Sequence, residues 1–148
     1  MRLVFENAQI TGVEHTVKDT VLITYVKMTG QPTQEALELL DIQGAAFEPL
    51  KSAALTLEVD SLKVIFVVPG LEQHALGLNA AAADNWKLIR RSDEAGPLLE
   101  IQLRLTFIGR SVTIVGIYEK IGGATGTLKL EPLQQDLFTK PPEEDETY

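Results

Sequence analysis

From Leu98 to Phe107 the sequence alternates throughout: Leu99, Ile101, Leu103, Leu105 and Phe107 fall on one side, and Glu100, Gln102, Arg104 and Thr106 on the other. A period of two is what a half-buried strand presents, because successive side chains leave opposite faces of the backbone; a helix would scatter the same residues around its axis. One face of this strand has to meet a core. At 148 residues and 45% hydrophobic content, the chain suits one domain that buries about two-thirds of its unfolded surface.

Cysteine is absent, which excludes disulfides and thiolate metal sites and makes a reducing cytoplasm the expected setting. Met1 to Ala8 carries Glu6 and Asn7 where a signal peptide would be apolar, and no run approaches the length of a membrane span. The expectation is a soluble, unprocessed protein with no membrane partner. The net charge of -8 opposes simple nonspecific binding to nucleic acid, which needs basic side chains to displace counterions from phosphate. The charge is uneven, however. Residues 85 to 130 are mildly basic (Lys87, Arg90, Arg91, Arg104, Arg110, Lys120 and Lys129 against four acids), whereas both flanks are acidic.

In chain order, residues 2 to 13 read as a strand kinked near Asn7, followed by polar Glu14 to Asp19. Val21 to Met28, β-branched and aromatic on both faces, reads as an interior strand closed by Gly30 and Pro32. Thr33 can cap a helix reaching Asp41 or Ile42, with Ala36, Leu37 and Leu40 as its buried stripe. Leu55 to Val59 and Leu62 to Val68 suggest two strands joined at Asp60-Ser61 as a hairpin. Leu71 to Asn85 reads as a connector with one helical turn, since Gly77 and Asn79 break any long helix. Trp86 to Arg91 is a short strand, Asp93 to Pro97 a turn, and Leu128 to Glu131 a final strand.

Val112 to Ile121 admits two readings. Its β-branched residues favour a strand after a Gly109 hairpin. Yet the first half orders as strand, strand, helix, strand, and a duplicated ββαβ unit would make Val112 to Ile121 a helix with Val115, Tyr118 and Ile121 as its stripe. Tyr118 to Gly122 reads well as a helix end, which tips the choice to helix. The expected fold class is therefore α+β and β-rich: antiparallel sheets, as a sandwich or partly open barrel, with one or two short helices. The expected division is a body over 1–131 and a C-terminal region over 132–148, in which Pro141-Pro142 and the acids Glu143 to Glu146 predict a disordered acidic tail.

Residue types that carry chemistry are sparse. His15 and His74 lack a second His, Asp or Glu at the spacing of a helix-borne metal site, and no nucleophile elbow, Walker loop or dinucleotide fingerprint occurs. No enzyme, cofactor or metal is expected. Gly122 to Thr127 could form a nest of backbone N–H groups for an anion, but no helix with a Lys-Ser or Lys-Thr pair follows it, which favours a turn. Trp86, Lys87, Arg90 and Arg91, with Arg104, set an aromatic among cations, as single-stranded nucleic-acid binding uses for stacking and charge. On a strand, though, Trp86, Leu88 and Arg90 face one way and Lys87, Ile89 and Arg91 the other, so Trp86 is expected in the core.

The most informative motif is Gln134-Gln135-Asp136-Leu137-Phe138. It resembles the pentapeptide by which many bacterial DNA polymerases and repair proteins bind the replication sliding clamp: Gln, a variable or Leu residue, Ser or Asp, then Leu-Phe. The resemblance implies that Leu137 and Phe138 fill an apolar pocket, that the Gln134 amide bonds its rim, and that extended backbone around Asp136 supplies the rest. Gln135 replaces the preferred Leu. The alternative is that Leu133, Leu137 and Phe138 clip the chain end onto the body. The final Glu143 to Tyr148 is similar to the acidic, aromatic-ended tails of single-stranded-DNA-binding proteins, with Tyr for the usual Phe.

Three classes of function follow. The first is a non-enzymatic adaptor or inhibitor of bacterial or phage type that binds the sliding clamp through Gln134, Asp136, Leu137 and Phe138. The second is a single-stranded nucleic-acid binder using Trp86, Lys87, Arg90, Arg91 and Arg104. The third is a structural or virion assembly protein.

Overall fold

The computed structural model describes residues 2–39, 52–54, 59–93 and 96–133. In order these form β1 (Leu3–Lys18), β2 (Val21–Pro32), α1 (Gln34–Leu39), β3 (Ser52–Ala54), β4 (Val59–Val67), a 3-10 turn (Glu72–His74), β5 (Leu76–Asp93), β6 (Gly96–Ile108), α2 (Ser111–Ile121) and β7 (Gly126–Pro132). The neighbours run β3-β5-β4-β7-β1-β2-β6, and β6 returns to pair β5. Six strands thus close into an antiparallel barrel, with β3 added on the outside of β5. The β-rich, antiparallel architecture with two short helices is as expected from sequence; the ring is closed where a sandwich or partly open barrel was expected, and closure pairs each of the six strands on both sides over part of its length.

The alternating strand behaves as its sequence requires. Ile101, Leu103, Leu105 and Phe107 of β6 are buried, with Gln102, Arg104 and Thr106 less so. They meet Phe5 and Ile10 of β1, Val26 and Met28 of β2, Val64 and Phe66 of β4, Trp86 and Leu88 of β5, and Leu128 and Leu130 of β7 in one core. Each fully buried Leu, Ile or Phe there contributes about 1.5–3 kcal/mol. The strand walls also come very close. At Gly30 a Cβ would lie 2.9 Å from that of Phe5 and 3.2 Å from that of Ala8, and at Gly126 it would overlap the Val67 carbonyl. Both positions need a residue without a side chain.

Thr33 caps α1 as expected: its Oγ1 accepts the Ala36 N–H at 3.2 Å. Ala36 is buried and Leu37 half-buried, while Leu40 to Ile42 lie outside the described residues. Val112 to Ile121 is helical, within α2, and buries Ile114 and Ile121 rather than Val115. Gly122 ends it in the left-handed region, donating its N–H to the Tyr118 carbonyl at 2.8 Å, so this glycine belongs to a helix cap.

Four expectations are corrected. Glu14 to Lys18 continues β1, paired with β2 up to a turn at Asp19-Thr20; both faces of this arm are exposed, so no apolar period marks it. No hairpin occurs at Asp60-Ser61. Ser61 takes a φ of 55°, yet β4 runs through it in constant register with β5. Leu71 to Asn85 holds a 3-10 turn and then strand from Leu76, not a connector. Ala80 and Ala83 prefer helix in isolation, but both are buried between neighbouring strands, and tertiary packing decides. Finally, β2 runs on past Met28 and Gly30, although it does end at Pro32.

The pairings keep their pattern when β1, β2 and β4 are exchanged with β5, β6 and β7. The β1–β2 pair becomes β5–β6, β1–β7 becomes β5–β4, and β2–β6 and β4–β7 become themselves. A helix follows both β2 and β6. The register of β1 against β2 breaks between Glu6 and Gln9, that of β5 against β6 between Asp84 and Lys87, and inside these breaks Asn7 and Asn85 have φ of 48° and 55°.

Candidate functional site

Because β2 and β6 send their even- and odd-numbered residues inward respectively, Tyr25, Lys27 and Thr29 stand on the outside beside Thr106, Arg104 and Gln102, in register. The two bulges flank this seam, since a bulge bends its strand and re-aims the side chains on it. Between them lies a pocket of about 270 Å³, walled by Thr11, Lys27, Thr29, Asn85, Gln102 and Arg104 and floored by Met28 and Leu103.

Its cations are already held. The Arg104 guanidinium grips Asp84 with two bonds, Nε to Oδ1 and Nη2 to Oδ2, each 2.9 Å. Its Cζ lies 4.5 Å from the centre of the Tyr25 ring, a cation–π distance. The Asp84 carboxylate holds the Arg104 pKa above its ordinary value, mainly through the side-chain hydrogen bond. Lys27 Nζ lies 3.1 Å from Glu14 Oε2, both exposed. The Thr11 hydroxyl donates to the Lys27 carbonyl at 3.2 Å, which leaves its lone pairs together with the Thr29 hydroxyl and the Asn85 and Gln102 amides. The pocket can therefore hold a small polar molecule through neutral hydrogen bonds, with fixed ion pairs at its sides. Its lining contains no His, Asp or Glu, so proton transfer there would have to use Lys27.

The residues singled out from sequence are dispersed. Trp86 is sealed in the core at 1% exposure, its Nε1 donating to the Ala83 carbonyl at 3.2 Å and its ring 6.3 Å from that of Phe5. It has no face for a base. Lys87 is exposed on the opposite side of β5 and Arg90 is half-buried; the backbone of Arg91 pairs with that of Leu98. Among the described residues, Arg104 alone of this set lines the pocket. Gln134, Asp136, Leu137 and Phe138 lie outside the described residues. His15 is exposed and His74 half-buried, and among the described residues no group of three metal-ligating side chains occurs and no helix is long and apolar enough to cross a membrane.

Sequence reading missed Asn7, Asn85, Thr11, Lys27, Thr29 and Gln102. One signal was available: Phe5-Glu6-Asn7-Ala8-Gln9-Ile10 and Ala83-Asp84-Asn85-Trp86-Lys87-Leu88 share an acid-Asn pair followed two positions later by a long polar and then a branched apolar residue. With the geometry in view, no protein-family model matches the chain, and comparison with curated proteins and with solved structures returns no match.

Proposed function

We propose that this protein is a non-enzymatic adaptor or inhibitor, of bacterial or phage type, whose C-terminal Gln134 to Phe138 segment binds the replication sliding clamp in the cytoplasm while the barrel carries a second partner. The observation that supports it most is that the barrel fills its own interior. Among the described residues the buried apolar side chains run from Leu3 to Leu130, and the six-strand ring is closed within Leu3 to Pro132. Such a body does not need Leu137 and Phe138 to complete its core. The last bond to the barrel beyond β7 among the described residues is Leu133 N–H to the Ser61 carbonyl, at 2.7 Å, immediately before Gln134.

The test is a pull-down on purified clamp with the full chain and with a Leu137→Ala, Phe138→Ala variant. The intact protein should be retained and the variant lost, with melting temperatures nearly equal. No retention of the intact protein, together with a lower melting temperature for the variant, would mean that the dipeptide packs on its own barrel. The exchange symmetry of the pairings, with Asn7 and Asn85 at like places, also supports a finer reading of the fold: two copies of a ββαβ unit joined in one chain.

A further inference from the structure

We propose that two copies of this chain associate through the outer edge of β1, antiparallel strand to strand, about a two-fold axis at Thr16. This goes beyond the clamp reading and does not depend on it.

The edge is open. Beyond Ala8, where pairing with β7 stops, β2 is the only strand paired with β1 among the described residues, and Glu14 to Val21 are all exposed. Val17 keeps 67% of its surface in solvent. An unpaired row of N–H and C=O groups is a ready template for another strand.

The other half of the barrel shows what such an edge accepts. Matching the two bulges sets Gln9, Ile10 and Thr11 of β1 at the place of Lys87, Leu88 and Ile89 of β5. There the edge of β5 is covered by β3, through Ala54 on Lys87, Ala53 on Leu88 and Ser52 on Ile89. The chain between α1 and β4 supplies that strand. Its counterpart between α2 and β7 is only Gly122 to Thr125, too short to reach across as a strand and return. Among the described residues, no strand of the chain itself takes that place beside β1.

The side chains select a second copy. An axis perpendicular to the sheet keeps each side chain on its own face, so in an antiparallel self-pair it has to pass through a residue and its own counterpart. An axis at Glu14 sets two carboxylates against each other. An axis at Thr16 sets Glu14 against Lys18 of the second copy, twice, with Thr16 against Thr16 between them and Val17 beside His15 on the other face. Opposite charges and paired threonines directly across a ladder are favourable, and like charges are not. Glu14 binds Lys27 through Oε2, and its other oxygen, unpartnered among the described residues, is left for Lys18 of the second copy.

Sedimentation equilibrium of the full chain over a concentration series tests this. A reversible monomer–dimer equilibrium is expected. Glu14→Lys and Lys18→Glu should each weaken it by roughly tenfold or more, since each replaces two attractions by two repulsions. An equimolar mixture of the two variants should form a heterodimer at the original strength, which also shows that both are folded. A wild-type chain that stays monomeric at the highest concentration reached, or a dimer whose strength neither variant changes, would overturn the proposal.

Discussion

Phe5 and Trp86 meet inside the barrel, ring centroids 6.3 Å apart and planes tilted by 44°, each from the bulged stretch of one half of the ring. Matching the bulges, Phe5 stands where the other half has Ala83, and Trp86 where the first half has Ala8. Large faces small in one half and small faces large in the other, so the two rings share a space that two aromatic pairs would overfill. Trp86→Ala should therefore destabilise the protein by about 3–5 kcal/mol, a large part of the roughly 5–15 kcal/mol a domain of this kind possesses. Urea denaturation measures it, and a loss under about 1 kcal/mol would contradict the packing.

Asn7 and Asn85 hold positive φ inside their bulges, which glycine adopts freely and a β-branched residue resists. Asn7→Gly and Asn85→Gly should leave stability nearly unchanged. Asn7→Val and Asn85→Val should each cost about 1–2 kcal/mol. Equal losses for Gly and Val would point to the side chains rather than the backbone, as Asn7 does bond Gln31 at 3.0 Å.

Gly30→Ala should cost about 1–3 kcal/mol, because the new methyl lands between Phe5 and Ala8 on a wall that cannot retreat without opening the β1–β2 pair. Calorimetry should show the loss. The same change at exposed Gly77, where an added Cβ meets nothing within 4 Å, is the control and should be neutral or slightly favourable.

The fork between Arg104 and Asp84 is partly solvated, at 30% and 23% side-chain exposure, so its net worth is on the order of 1 kcal/mol. Arg104→Lys keeps the charge but not the two-pronged geometry. It should lose about 0.5–1 kcal/mol, and a double-mutant cycle with Asp84→Asn should return a coupling of similar size. Zero coupling would make the pair incidental.

Glu72 accepts the Gly70 N–H at 2.9 Å, which lowers its pKa below the ordinary carboxylate value. A lowered folded value means that the contribution to stability is complete above the unfolded pKa and is lost as pH falls through the folded one. Glu72→Gln should thus flatten the acid limb of the stability profile. A carboxyl NMR titration at or above the ordinary value would remove the basis for that expectation.

How far the sequence discloses this fold depends on whether side chains or neighbours decide each element. The β6 alternation is legible because core and solvent lie on opposite faces of one strand. The Thr33 cap and the Gly122 stop are legible because each acts within a few residues. Leu76 to Asn85 is not, since alanines that favour helix alone are fixed here by β4 up to Ala83 and by β6 from Ala82 on. The Glu14 to Lys18 arm leaves no trace for the opposite reason: water lies on both its faces. The pocket was hidden because Thr11, Lys27, Asn85 and Gln102 come from four strands, and only the barrel brings them together.

Leu3 lies opposite Leu130, and Val4 opposite Lys129. Joining β1 to β7 imposes an order on folding: this pair, the most widely separated along the barrel sequence, cannot form until the chain through Pro132 has been synthesised. Contacts so remote in sequence are slow to form, because the loop entropy is lost before they stabilise anything. A nascent chain that lacks β7 would leave one edge of β1 and one edge of β4 unpaired across the gap, and during that interval the ring is most exposed to aggregation.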